Sequence, residues 1–147
     1  MRTIDFTALE KRFQMAAGLP SLTSVDEFFF KQAVNTRADL VWSRIKWPEL
    51  QTLVEKTVAA TTSPIAADKA VQIDNAVDIQ DVFKVYNKNP LTDRSAILID
   101  FQLINGFVVL PANSTQSSIF IMGNLVRPDY GKDSGDEQNV PMFLMNY

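Results

Sequence analysis

The chain has 147 residues, 46% hydrophobic and 10% aromatic, with a net charge of −3 and neither cysteine nor histidine, a composition that suits one domain with a real core. No disulfide framework or thiolate site is possible, and the commonest general base, the commonest zinc ligand and the usual catalytic triads are missing, so an enzyme is disfavoured. The 14 Lys and Arg are spread along the sequence, which speaks against sequence-specific nucleic-acid binding, and the charged start MRTIDFTALEKRF contains neither a secretory signal nor a membrane span.

A first helix is predicted over residues 5–17, with Thr7 and Glu10 at capping-box spacing and Phe6, Leu9, Phe13 and Ala16 on one face. Gly18 and Pro20 stop it. A second helix opens at Ser24, whose hydroxyl is placed to cap the Glu27 amide, and runs to the Trp47-Pro48 step. Val25, Phe29, Phe30, Ala33, Val34, Leu40, Val41 and Ile45 recur along it at three-and-four spacing, a stripe wide enough to need a cover. Asn35, Arg37 and Arg44 lie among these residues, as on a helix that faces another chain across a polar rim. Pro48 suits the first position of a third helix, and Leu50, Leu53, Val54 and Val58 repeat on one face to about Ala60. That helix is expected to fold back antiparallel on the second, with Trp42 and Trp47 flanking the corner.

Thr61-Thr62-Ser63-Pro64 reads as a linker, after which the period changes from 3.6 to two. Short strands are predicted at residues 71–73, 77–86 and 118–126. Between them residues 96–110 form a hairpin turning on Asn105-Gly106, the preferred pair for a type I′ turn. The resulting fold class is α+β: a bundle of about three helices over residues 1–60, then a small antiparallel sheet over residues 65–147, in a single domain. Because Leu98, Ile104, Phe120 and Met122 are apolar on the second sheet face, the helical hairpin is expected to cover one side and a neighbouring subunit the other. The apolar end, from Val140 to Tyr147, must dock on its own sheet or on another chain.

No glycine-rich phosphate loop is present. Residues 129–137 carry Asp129, Asp133, Asp136 and Glu137, a set that could hold a hard cation. The spacing is not that of an EF-hand and Lys132 sits in its middle, so the stretch reads as a flexible solvated loop. No metal and no cofactor is expected.

The asparagine-arginine helix, its closing Trp47-Pro48-Glu49-Leu50 and the later run of short strands together resemble small neck proteins of tailed bacteriophages, over roughly residues 28–125. These are patterns of residue type, and the end departs from them: an acidic loop follows Pro128 where a closing helix belongs. The resemblance implies a structural virion protein made in the host cytoplasm: a head-to-tail connector forming a homo-oligomeric ring, a dodecamer being one admissible size. Its partners would be the portal protein and a downstream neck or tail protein, with genomic DNA passing through unread and no membrane involved. Contact residues expected are Arg37, Trp42, Arg44 and Trp47 on the helical side, and Phe143 and Tyr147 at the end. A tail-terminator or tail-completion ring is the nearest alternative, and a soluble ligand- or peptide-binding module the alternative of another class.

Overall fold

A computed structural model describes residues 2–44, 48–59, 69–75 and 77–145. In chain order the elements are β1 (Thr3–Asp5), α1 (Phe6–Ala16), α2 (Ser24–Arg44), a 3-10 turn (Pro48–Leu50), β2 (Gln51–Thr57), β3 (Ala70–Gln72), β4 (Asp81–Tyr86), β5 (Gln102–Ile104), β6 (Phe107–Val109), β7 (Ser118–Asn124), β8 (Asn139–Pro141) and a second 3-10 turn (Met142–Met145). They fall into two compact units, Met1–Glu49 with Arg127–Tyr147, and Leu50–Val126.

The expected bundle of about three N-terminal helices does not form. Among the described residues two helices stand with strands in three antiparallel sheets, ordered β1-β8, β2-β7-β4 and β3-β6-β5. The third helix is the error: after one 3-10 turn, residues 51–57 are the extended strand β2, paired along its length with β7 from Gln51↔Asn124 to Thr57↔Ser118. Leu50, Leu53, Val54 and Val58 satisfy a helical period, yet Val54 and Val58 also satisfy a period of two. A waiting partner strand decides between them, since β propensity is mostly packing against neighbours.

Within the second unit, β7 is the central strand. Its inward residues Ile119 and Ile121 are fully buried while Phe120 and Met122 are half-buried, the alternation of a strand with one face on a core. Gly123 continues the inward face because nothing larger fits: an added Cβ would run into the Asp81 carbonyl and the Ile79 side chain, beside the irregularity between Val82 and Lys84 in β4. Bridges Ala59↔Ala70 and Tyr86↔Leu98 carry the pairing from β2 to β3 and from β4 to the segment leading into β5, where the Ile99 amide donates to the Val85 carbonyl at 2.9 Å. Strand pairing therefore runs around the whole unit. Both three-stranded sheets contribute to a single core, with Val71, Ile73, Ile79, Val85, Val108, Leu110, Ile119 and Ile121 at its centre. Each such side chain contributes about 1.5–3 kcal/mol when fully buried. The apolar inner face of each sheet thus has its cover inside the unit. Asn105 (φ 49°) and Gly106 (φ 79°) form the two-residue turn between β5 and β6, both left-handed as a type I′ turn requires.

In the first unit both helices are capped just before the expected residues, α1 two residues earlier and α2 one. Asp5 caps α1, its carboxylate accepting from the amides of Thr7 (2.9 Å) and Ala8 (3.2 Å). Thr23 precedes α2, where its hydroxyl accepts from the Asp26 amide (3.2 Å) while Asp26 Oδ2 accepts from the Thr23 amide (2.9 Å) and hydroxyl (2.7 Å). That reciprocal box holds the Asp26 carboxyl below the usual aspartate range. Phe30 meets Phe6 edge-to-face at 5.5 Å and Phe13 at 4.9 Å. The C-terminal segment stays in its own unit: β8 pairs with β1 and the Met142 amide donates to the Arg2 carbonyl. Val140 and Leu144 are buried.

Candidate interaction surface

Two apolar stripes share α2. Phe30, Val34, Ala38, Val41 and Trp42 are buried, whereas Val25 (59% exposed), Phe28 (62%), Phe29 (61%) and Leu40 (47%) face outward. Residue 29 precedes residue 30 by one step, about 100° around the helix, so a sequence read as one wide stripe is two narrower ones. Among the described residues only the inner one has a cover. Phe28 and Phe29 stack edge-to-face at 5.8 Å, and a shallow groove lined by Phe29, Gln32, Ala33, Thr36, Arg37 and Leu40 continues along the outer face. Exposed aromatic and aliphatic surface gathered in this way makes this face a candidate for binding.

Arg37 and Arg44 are exposed beside this stripe and carry no ion pair among the described residues, unlike Arg127, whose Nε lies 2.6 Å from Asp39. Trp42 is only 4% exposed, packed inside its unit by its place on the inner stripe. Phe143 is half-buried in the final turn and makes contacts of its own. Trp47 and Tyr147 lie outside the described residues. Of the expected contact set, Arg37 and Arg44 border the exposed stripe, while Phe28, Phe29 and Leu40 supply its apolar surface.

The polar residues of the inner side do a different task. Asn35, placed by its sequence position at a polar rim, is a clamp: its Nδ2 donates to the Tyr130 carbonyl (2.9 Å) and the Lys31 carbonyl (3.0 Å), and its Oδ1 accepts from the Tyr130 amide (2.8 Å) and Arg127 Nη1 (3.0 Å). The returning chain is thereby held with Tyr130 1% exposed, and burial pushes its phenol pKa strongly upward. The acidic stretch after it, expected to be a flexible solvated loop, is tied to both helices. Lys31 reaches Asp136 (2.5 Å) and Asp133 (3.1 Å), and Lys132 reaches Glu27 (2.8 Å) and Glu10 (3.3 Å). Hydrogen bonds from Lys31 to Asp136 and Asp133, and from Lys132 to Glu27 and then Glu10, hold both ammonium groups above the ordinary lysine value.

Glu10 and Glu27 converge beside a cavity also lined by Phe6, Ser24 and Phe28. Among the described residues no group of three or more acids, cysteines or histidines could hold a metal ion, and no helix is long and apolar enough to cross a membrane. No family model, no curated protein and no solved structure matches this chain.

Proposed function

We propose that the chain is a structural protein of a tailed-phage particle, a subunit of the neck ring that joins the portal to the tail around the passing DNA. One observation supports a role in assembly above others: α2 keeps an outer stripe of Val25, Phe28, Phe29 and Leu40 exposed, rimmed by arginines that carry no ion pair among the described residues. An exposed apolar strip with guanidinium groups at its edge is the surface of a protein that binds protein, since arginine and aromatic residues are enriched where interfaces bury area. The choice of the neck among possible assemblies rests on the resemblance of the α2 sequence and its Trp47-Pro48-Glu49-Leu50 end to neck proteins. In this reading the helical unit grips its neighbours and the portal, and the second unit offers its loops to the next component.

The test is a mass measurement on the purified chain mixed with the portal of its particle, together with electron microscopy of intact particles. A stoichiometric complex, and density for the chain at the joint between capsid and tail, are expected. A chain that ignores the portal and is missing from that joint has another function.

A further inference from the structure

We propose that α2 pairs antiparallel with α2 of a second copy about a twofold axis near Gln32 and Ala33, closing the outer stripe of the unassembled chain. Centred there, position n of one helix faces position 65 − n of the other, so Val25 faces Leu40 and Phe29 faces Thr36. The large side chains stand toward the ends of the stripe and the small Ala33 and Thr36 floor the groove between them. Each copy therefore brings an aromatic ring to the place where the other is hollow.

Charge selects the second copy as occupant. Asp26 in the first turn and Arg37 and Arg44 toward the end lie on the same flank of the stripe, within about 20° of one another by the 100° helical step. In an antiparallel pair a flank meets its own counterpart, as like positions do in antiparallel coiled coils. Asp26 of one copy then lies by Arg37 of the other, and the twofold repeats the contact. The groups are available for it: the Thr23 amide and hydroxyl both bond Asp26 Oδ2, so Oδ1 takes no part in that box, and Arg37 has no ion pair among the described residues. Antiparallel helices also set opposite dipole ends side by side.

A twofold pair is closed and cannot by itself grow into a ring, so it is a state of the chain before assembly, and it stands apart from the neck reading. It hides the same stripe that an assembled particle would use, which makes pairing and assembly compete.

Because the chain has no cysteine, Ala33→Cys introduces one thiol, placed next to the proposed axis. Mild oxidation is expected to give a disulfide-linked dimer in high yield, while Val77→Cys, at an exposed position of the other unit (74%), gives little. Sedimentation of the unmodified chain is expected to show mass rising from one copy to two with concentration. Arg37→Asp, which turns both attractions into repulsions, should weaken pairing roughly tenfold. Phe29→Ser should abolish it with the circular dichroism spectrum unchanged, since the ring is exposed. A single-copy mass at every concentration overturns the pair, and so does a larger assembly in which Ala33→Cys fails to cross-link. The second of these leaves the neck reading standing; a cross-linked dimer in a protein that ignores the portal has the opposite meaning.

Discussion

The two units of this chain reach order by different routes. Residues 50–126 close strand pairing around one apolar core, and nearly every side chain at its centre is aliphatic and β-branched or leucine. The other unit joins segments more than ninety residues apart, and polar groups do much of the joining: Asn35 on the Tyr130 backbone, Lys31 on Asp136, Lys132 on Glu10 and Glu27. The difference is instructive because a closed set of strands satisfies its backbone internally, whereas two short helices and a returning tail leave carbonyls and amides that side chains must reach. It also leaves α2 with apolar surface to spare, which is where the outer stripe arises.

Substitutions can test this contrast. Ile121→Ala, in the middle of the central strand, should lower unfolding free energy by about 3 kcal/mol, by lost transfer energy and a residual cavity, as read by urea titration followed by circular dichroism. A loss below about 1 kcal/mol would mean that the shared core is looser than its burial implies.

Next in size, Asn35→Ala strips the Tyr130 amide and carbonyl and one Arg127 bond of their partner. A loss of about 2 kcal/mol is expected, with faster hydrogen exchange at the Tyr130 amide. Asn35→Asp should recover part of it, because the oxygen that accepts from Tyr130 and Arg127 is kept. Equal losses in the two variants would show that acceptance by Oδ1 is not what holds the tail.

Gly106→Ala forces a side chain into a left-handed position and should cost about 1 kcal/mol in the same titration. Acid should act more weakly still, and one ion pair in the β unit gives a direct reading of it. A hydrogen bond from Lys56 at 2.6 Å, aided by the Asp74 amide, holds the Asp78 carboxyl below its ordinary value of 3.8. A lowered carboxyl contributes stability that is complete above the unfolded value and fades as pH falls through the folded one. Asp78→Asn should therefore flatten the decline in melting temperature below about pH 4. The raised lysines of the other unit have the opposite sign: their contribution is complete below 10.5 and is lost only as pH rises beyond it, so the clamp should hold unchanged from pH 5 to 9. A clamp that opens between pH 6 and 8, seen as protease cleavage near Gly135, would contradict the pairing described for Lys31 and Lys132.

What was legible beforehand is local. The start of α2 near Ser24, the Gly18 stop and the Asn105-Gly106 turn each depend on a few neighbouring residues, and each is where the residues alone place it. The inward set Ile119, Ile121 and Gly123 of β7 follows from alternation within one strand. Exposure of the outer stripe was half legible: the apolar residues of α2 are plain to see, but a period cannot say how much of its circumference a fold will cover.

Sequence by itself determined where helices begin, where a hairpin turns and that α2 carries more apolar surface than one face needs, because capping, left-handed glycine and helical spacing act over a few residues. Tertiary structure alone decided that residues 51–57 are a strand, that Asn35 and Lys31 serve the chain's own tail, and that Trp42 lies inside while Phe28 and Phe29 lie outside. Those outcomes depend on partners far away in the chain, on β7 for the strand and on residues 127–137 for the clamp, and local propensities of a few tenths of a kcal/mol per residue yield to the packing and hydrogen bonds such partners supply.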